Sequence, residues 1–303
     1  MQRLLLLLTL AGCAKAPARP EPSEPTPAVR ALYAEASQRL TSGFLEGGWV
    51  VSRTSEGEPR HQGDSLIWSG LSLYALSCED GAQVEDALLR MLGEGGGGLV
   101  RFPGLDKPVS MDGALGLYRG AADRIQRCPG SREKWAPAVQ KHLAYVSASN
   151  GRLGPEGATL AGDFGYVLDL LGEWLDVGAP ADSERAGGLA AQASAWALAT
   201  VATKSSAYRI HLGLLAFETT EALGADVPED GRNGFCQTSR EAALPGVEWW
   251  CGREQALYAF IDGFKYDEWE MRLQRGAWES PDGNGLRTPG LDILVALRTA
   301  YQL

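Results

Sequence analysis

Three aspartates stand at matching places in the sequence. Asp64 opens the run Ser65-Leu66-Ile67-Trp68, Asp112 heads Gly113-Ala114-Leu115, and Asp163 precedes Phe164-Gly165-Tyr166-Val167. Each falls at the start of a predicted apolar helix, and the starts recur at about fifty residues. Two carboxylates facing one another across adjacent helix starts match the needs of glycoside hydrolysis. One gives a proton to the leaving oxygen while the other activates water or attacks the sugar. A helix N-terminus favours the charged carboxylate, so such an aspartate suits a base or nucleophile better than an acid. One of Asp64 and Asp112 then needs burial or a like-charged neighbour to hold a proton, and Asp163 is the candidate neighbour. Capping is the competing explanation, since aspartate is among the best N-cap residues. It applies equally to Asp64 and Asp163, whereas Ser110 can cap the second helix and free Asp112.

Residues suited to holding a sugar fall near the same predicted ends. The aromatic faces of Trp68, Tyr166, Trp249 and Trp250 can stack on sugar rings, with Phe102 and Tyr208 nearby. Core packing is the ordinary fate of such side chains; the adjacent Trp249 and Trp250 cannot both point the same way on a helix. Arg101, at the end of the glycine-rich stretch 93–98, and Arg209 can grip a uronic carboxylate in a two-pronged manner. His211 sits a turn inside an apolar helix, where a hydrogen-bonded core role competes with a site role; His61 and His142 add little. The glycine run lacks the lysine and strand-to-helix setting of a phosphate-binding loop. No Gly-x-Ser-x-Gly elbow, His-Glu-x-x-His helix or nucleotide fingerprint occurs, which sets those enzyme classes aside.

The elements that must position these residues alternate in character. Predicted outer helices, with spaced apolar residues, cover 29–40, 83–92, 132–147 and 183–203, with a weak fifth between Gly231 and Leu244. Predicted inner helices, far more apolar, cover 64–78, 112–126, 163–175 and 208–223. The series ends with 250–264, 267–278 and 289–301, and the whole reads as all-α with about six hairpins.

Such a series resembles the (α/α)6 toroids of the six-hairpin glycosidase type. The resemblance runs from about Val29 to the end and is architectural. It implies a closed ring of inner helices with a carbohydrate cleft at their N-terminal ends. Asp64, in the loop-to-helix entry His61-Gln62-Gly63-Asp64, and Asp112 match the placement of that group's catalytic aspartates. The same architecture also serves epimerases, lyases, cyclases and binding proteins without activity. The expected ligand is therefore a poly- or oligosaccharide, hydrolysed or only bound, with no cofactor; the alternative is a noncatalytic envelope lipoprotein that binds a glycan or a protein partner through the same rim.

The beginning of the chain carries a different signal. Met1-Gln2-Arg3 and the leucine-rich run 4–10 are too short to span a bilayer and read as an export signal. Leu10-Ala11-Gly12-Cys13 resembles the lipobox of bacterial lipoproteins, which implies cleavage before Cys13, acylation of its thiol and a membrane anchor. Ala14 after the cysteine implies the outer membrane, by resemblance to enterobacterial sorting. The prolines at 17, 20, 22, 25 and 27 mark a tether. The expected organisation is thus a signal over 1–12, a lipidated and Pro-rich linker over 13–28, and one domain over 29–303. A net charge of −10 argues against nonspecific binding of nucleic acid by the body of the protein.

Four further cysteines lie in what should be an oxidising compartment. Cys78 and Cys128 end the first two inner helices, so parallel neighbours would bring them to one rim, leaving Cys236 with Cys251. The alternative is a metal site. Trp250-Cys251-Gly252-Arg253 is near the Trp-Cys-x-Gly motif of zinc-bearing lanthionine-synthetase-like toroids, but no later cysteine or histidine follows it, and no metal is expected.

Overall fold

A computed structural model describes residues 18–54, 56–60, 62–155, 157, 162–178, 207–227, 229–264, 273 and 288–303. The class is all-α. The lipobox around Cys13, the helix expected over 183–203 and most of that over 267–278 lie outside the described residues.

Helix α1 (Pro27–Gly43) starts where Thr26 Oγ1 accepts the N–H of Val29 at 3.3 Å, and proline at its first position has no N–H to lose. Two short antiparallel hairpins follow, β1 (Leu45–Glu46) with β2 (Trp49–Val50) and β3 (Ser52–Arg53) with β4 (Pro59–Arg60). Gly47 and Gly48, at φ +58° and +88°, make the first turn. Val50 N–H donates to Ser69 Oγ at 2.9 Å and ties that hairpin to the first inner helix. These hairpins fall between the first predicted helices, where no strand was expected.

Helix α2 (Ser65–Ala75) is buried along its whole length, whereas α3 (Ala82–Glu94) buries only one face. Helix α4 (Met111–Arg127) runs beside α2 and parallel to it: Gly113 lies against Leu66, Gly116 against Ile67, and Gly120 against Leu73. Glycines let the two backbones touch, since a Cβ on Gly70 would come within 2.5 Å of the Gly116 carbonyl carbon. At the far end of the pair Cys78 is bonded to Cys128, as parallel inner helices require. Arg127 Nη2 donates to the carbonyls of Leu73, Tyr74 and Leu76, and Arg124 to those of Ser77 and Cys78. The carbonyls of Leu73 and Tyr74, which have no partner within α2, are thereby satisfied, and the Tyr33 hydroxyl donates to that of Ala75 at 2.7 Å.

Helix α5 (Ser131–Ala148) returns antiparallel to α4, and α6 (Gly162–Trp174) returns again. Between the outer helices α3 and α5, the buried Glu85 carboxylate accepts from Ser131 Oγ at 2.6 Å and Trp135 Nε1 at 2.9 Å, and pairs with Arg124 at 3.3 Å. Helix α7 (Ala207–Ala222) packs directly on α4. The Arg119 guanidinium lies 4.2 Å from the centre of the Tyr74 ring and its Nε 3.8 Å from Glu218 Oε2, while Tyr74 shares a 3.0 Å hydrogen bond with Thr299. These contacts join the C-terminal halves of α2, α4, α7 and α11 (Leu291–Ala300).

The weak fifth outer element is α8 (Glu229–Thr238) with a 3₁₀ turn over Ser239–Ala242. It leads to α9 (Pro245–Trp250) and α10 (Gln255–Asp262), and Cys236 is bonded to Cys251 between them. Among the described residues no cluster of metal-binding side chains occurs, and no helix is long and apolar enough to cross a membrane.

Among the described residues the Pro-rich segment is held from Arg19 onward. Ser23 N–H donates to Ala300 O at 2.8 Å, Gln302 N–H donates to Ser23 O at 3.0 Å, and Arg19 Nη1 lies 3.3 Å from Glu221 Oε2. What composition marks as a free spacer up to residue 28 is a docked strap running into α1. Proline excludes helix there without preventing a single bridge to the C-terminal residues.

Candidate functional site

The N-terminal ends of the inner helices gather a small set of polar side chains. Asp64 closes a 3₁₀ turn, Gln62–Asp64, and occupies the N-cap of α2 without a capping hydrogen bond from its side chain. The capping explanation of this aspartate is therefore not realised. Ser110 holds the N-cap of α4 and likewise makes no side-chain cap. Asp112 is 4 % exposed, and its Oδ1 accepts the N–H of Gly113 at 3.0 Å. The hydroxyl expected to free Asp112 does not act, and part of that carboxylate is engaged by its own helix.

Arg101 crosses from the loop after α3 to the entry of α2. Its Nη1 donates to Gly63 O at 3.1 Å and its Nε to Pro108 O. Two carbonyls thus fix a guanidinium with five N–H donors, in place beside Asp64. Gly63 leaves the space: a Cβ there would lie 3.6 Å from Arg101 Nη1 and 3.9 Å from Lys107 Nζ. Tyr208, at the start of α7, completes the group. Burial pushes its hydroxyl up from the usual tyrosine range, the Arg101 charge pulls it down, and the Asp64 charge pushes it up again. Arg209 follows on the exposed side of the same helix start.

Asp64, Arg101, Lys107 and Tyr208 therefore share one mouth, contributed by three segments distant in sequence. Lys107 carries no sequence signal; it is a lone lysine in Asp106-Lys107-Pro108, and only the fold of that loop brings it to Gly63. Beside the mouth lies a groove of about 340 Å³ lined by Trp49, Met91, Phe102, Arg90 and Glu94. Trp49 and Phe102 meet edge to face at 5.9 Å between centroids. No protein-family model, curated protein or solved structure matches this chain.

Several expected sugar-binding residues lie elsewhere. Trp68 is 1 % exposed within α2 and belongs to the core. Trp249 and Trp250 are wholly buried, and they sit at the opposite end of α7 from the mouth. Trp250 stacks on Phe217 at 5.3 Å and gives its Nε1 hydrogen to Glu221 at 2.9 Å. Two adjacent indoles can both be interior because only the Pro245 and Glu248 side of the short α9 reaches water, while Gly246, Val247, Trp249 and Trp250 are all buried. Tyr166 is also interior, beside Thr220; burial pushes its hydroxyl up to about 12. His211 is fully buried in α7. The side chain of Asp163 lies outside the described residues, as does His61. His142 is structural: its ring receives or gives hydrogen bonds at 2.7 Å to the Tyr118 hydroxyl and 2.6 Å to Gly97 O.

Chemically the mouth offers an oriented guanidinium, an ammonium, a phenol and a carboxylate. It suits a ligand that carries both hydroxyls and an anionic group.

Proposed function

We propose that this chain is an envelope lipoprotein of the six-hairpin toroid type that engages an acidic oligosaccharide at the inner-helix mouth. Arg101 and Lys107 take the carboxylate of a uronic residue, Tyr208 and Asp64 its hydroxyls, and Arg209 the outer edge. The fixed guanidinium of Arg101, oriented by Gly63 and Pro108 before any ligand arrives, carries this reading, because pre-orientation lowers the cost of binding. Lipid on Cys13 anchors the protein to the membrane, by resemblance the outer one.

A second reading adds hydrolysis, with Asp64 and Asp112 as the carboxylate pair at neighbouring helix starts. The absence of a side-chain cap at Asp64 favours it. The bond from Gly113 to Asp112 favours a binding role alone.

Because the strap is docked, the test uses the full chain in detergent against acidic and neutral polysaccharides, reading both binding and released sugar. Binding of acidic glycans only, weakened at least tenfold by Arg101→Ala, supports recognition. Release by the native chain that Asp112→Asn abolishes while binding survives adds catalysis. Equal binding of neutral glycans, or an unaffected Arg101→Ala variant, sinks the proposal.

A further inference from the structure

The strap fixes where the N-terminal chain leaves the fold. Besides the pairing of Ser23 with the C-terminal residues, Gln302 Nε2 donates to Pro22 O at 3.1 Å and Ser23 Oγ meets the Tyr258 hydroxyl at 3.2 Å. Among the described residues Arg19 is the anchored one nearest the N-terminus. Burial works against its charge, and Glu218, Tyr74 and Glu221 together outweigh that cost. Glu221 lies at the end of α7, and Ala300 at the end of α11. The described chain therefore begins at the C-terminal mouth of the parallel helices, the end opposite Asp64 and Arg101.

We infer that this C-terminal mouth is the face turned toward the membrane, and that the rim bearing Asp64, Arg101 and Tyr208 is turned away from it. The inference rests on the lipid-anchor reading of Cys13. From Cys13 to Arg19 is a step of six residues, which spans at most about 20 Å when fully extended. Helix α4, with 17 residues, is about 25 Å long. A leash of that length, starting at Glu221, cannot pass around the body to bring the opposite rim against the bilayer. The glycan mouth then opens away from the anchoring leaflet, at a height set by the helices rather than by the proline-rich segment.

The test reconstitutes the full, lipidated chain into phosphatidylcholine vesicles that carry an energy-acceptor dye on a fraction of the headgroups. A donor dye is placed on Asp226→Cys, an exposed site just past α7, or on Asp106→Cys, an exposed site in the loop before α4. The mass of the N-terminal peptide reports acylation of Cys13 in each sample. Transfer at least twofold greater from position 226 than from position 106 is expected. In a strap-release variant, Arg19→Glu with Ser23→Pro, the difference should shrink while acylation persists. Equal or reversed transfer with lipid present on Cys13 overturns the orientation and leaves the anchor standing. A Cys13 that carries no lipid overturns both. A strap-release variant that is folded by circular dichroism and keeps the full difference removes the strap as its cause.

Discussion

Gly120 sits directly against the carbonyl oxygen of Gly70, so close that a Cβ on Gly120 would overlap it. Helices α2 and α4 owe their separation to this contact and to Gly116 against Ile67, where a Cβ would fall 2.7 Å from Ile67 Cγ1. Gly120→Ala should therefore force the pair apart and cost about 1–3 kcal/mol or more. Gly165→Ala is the control, because nothing lies within 4 Å of its would-be Cβ. In helix α6 that change should be neutral or stabilise by up to about 1 kcal/mol. Urea midpoints of the two variants check the opposite signs.

The ring of His142 is held neutral by burial, which pushes it down to about 4, only partly opposed by its bond to Gly97. An unfolded chain has its histidine near 6.5, so between these values the unfolded state binds the extra proton. Stability should rise with pH across that window and be lost as pH falls from about 6.5 toward 4, by on the order of 3 kcal/mol at the limit. Comparing urea midpoints at pH 7 and pH 5 for the native chain and His142→Gln checks this, since the variant should lose the His142 share of the slope.

Glu85 is buried at 2 % exposure with Arg124 at 1 %. Removing Arg124 leaves the Glu85 carboxylate only the half-exposed Lys134 at 3.9 Å and the donors Ser131 and Trp135, so Arg124→Met should cost about 3 kcal/mol. Replacing Glu85 as well should recover part of that loss. A double-mutant cycle in urea reads the coupling.

The two disulfides close loops of different length, with sequence separations of 50 for Cys78–Cys128 and 15 for Cys236–Cys251. On chain entropy, losing the first should cost about 4 kcal/mol and losing the second about 3. Paired serine variants of each bridge, compared by thermal unfolding, should rank in that order.

Most of the inner architecture is legible in the sequence because a helix buried all round announces itself by composition. Residues 64–78 are nearly all apolar or small, and the pairing of Cys78 with Cys128 follows once α2 and α4 are parallel. The tryptophans misled for the same reason that the helices were visible: an aromatic at a helix end looks alike whether it faces a cleft or a neighbour such as Phe217. The mouth was half legible. Asp64 and Arg101 stand out by position, whereas Lys107 depends on the path of a loop without periodicity. The docking of Arg19 and Ser23 was hidden by prolines, which reveal what a segment cannot form and nothing about what it touches.

The bonds between α2 and α4 are unevenly spread. At one end stand a disulfide, five hydrogen bonds from Arg124 and Arg127, and the nearby strap; at the other, Arg101 ties the entry of α2 to the loop before α4. Mechanically the pair is a two-pronged fork gripped at its base. Between its ends the pair is in contact through Gly113, Gly116 and Gly120, so a load on the gripped end is shared along both helices before it reaches Asp64. Tension applied through the N-terminal chain is thereby spread along the pair, and the far end keeps its own spacing under load.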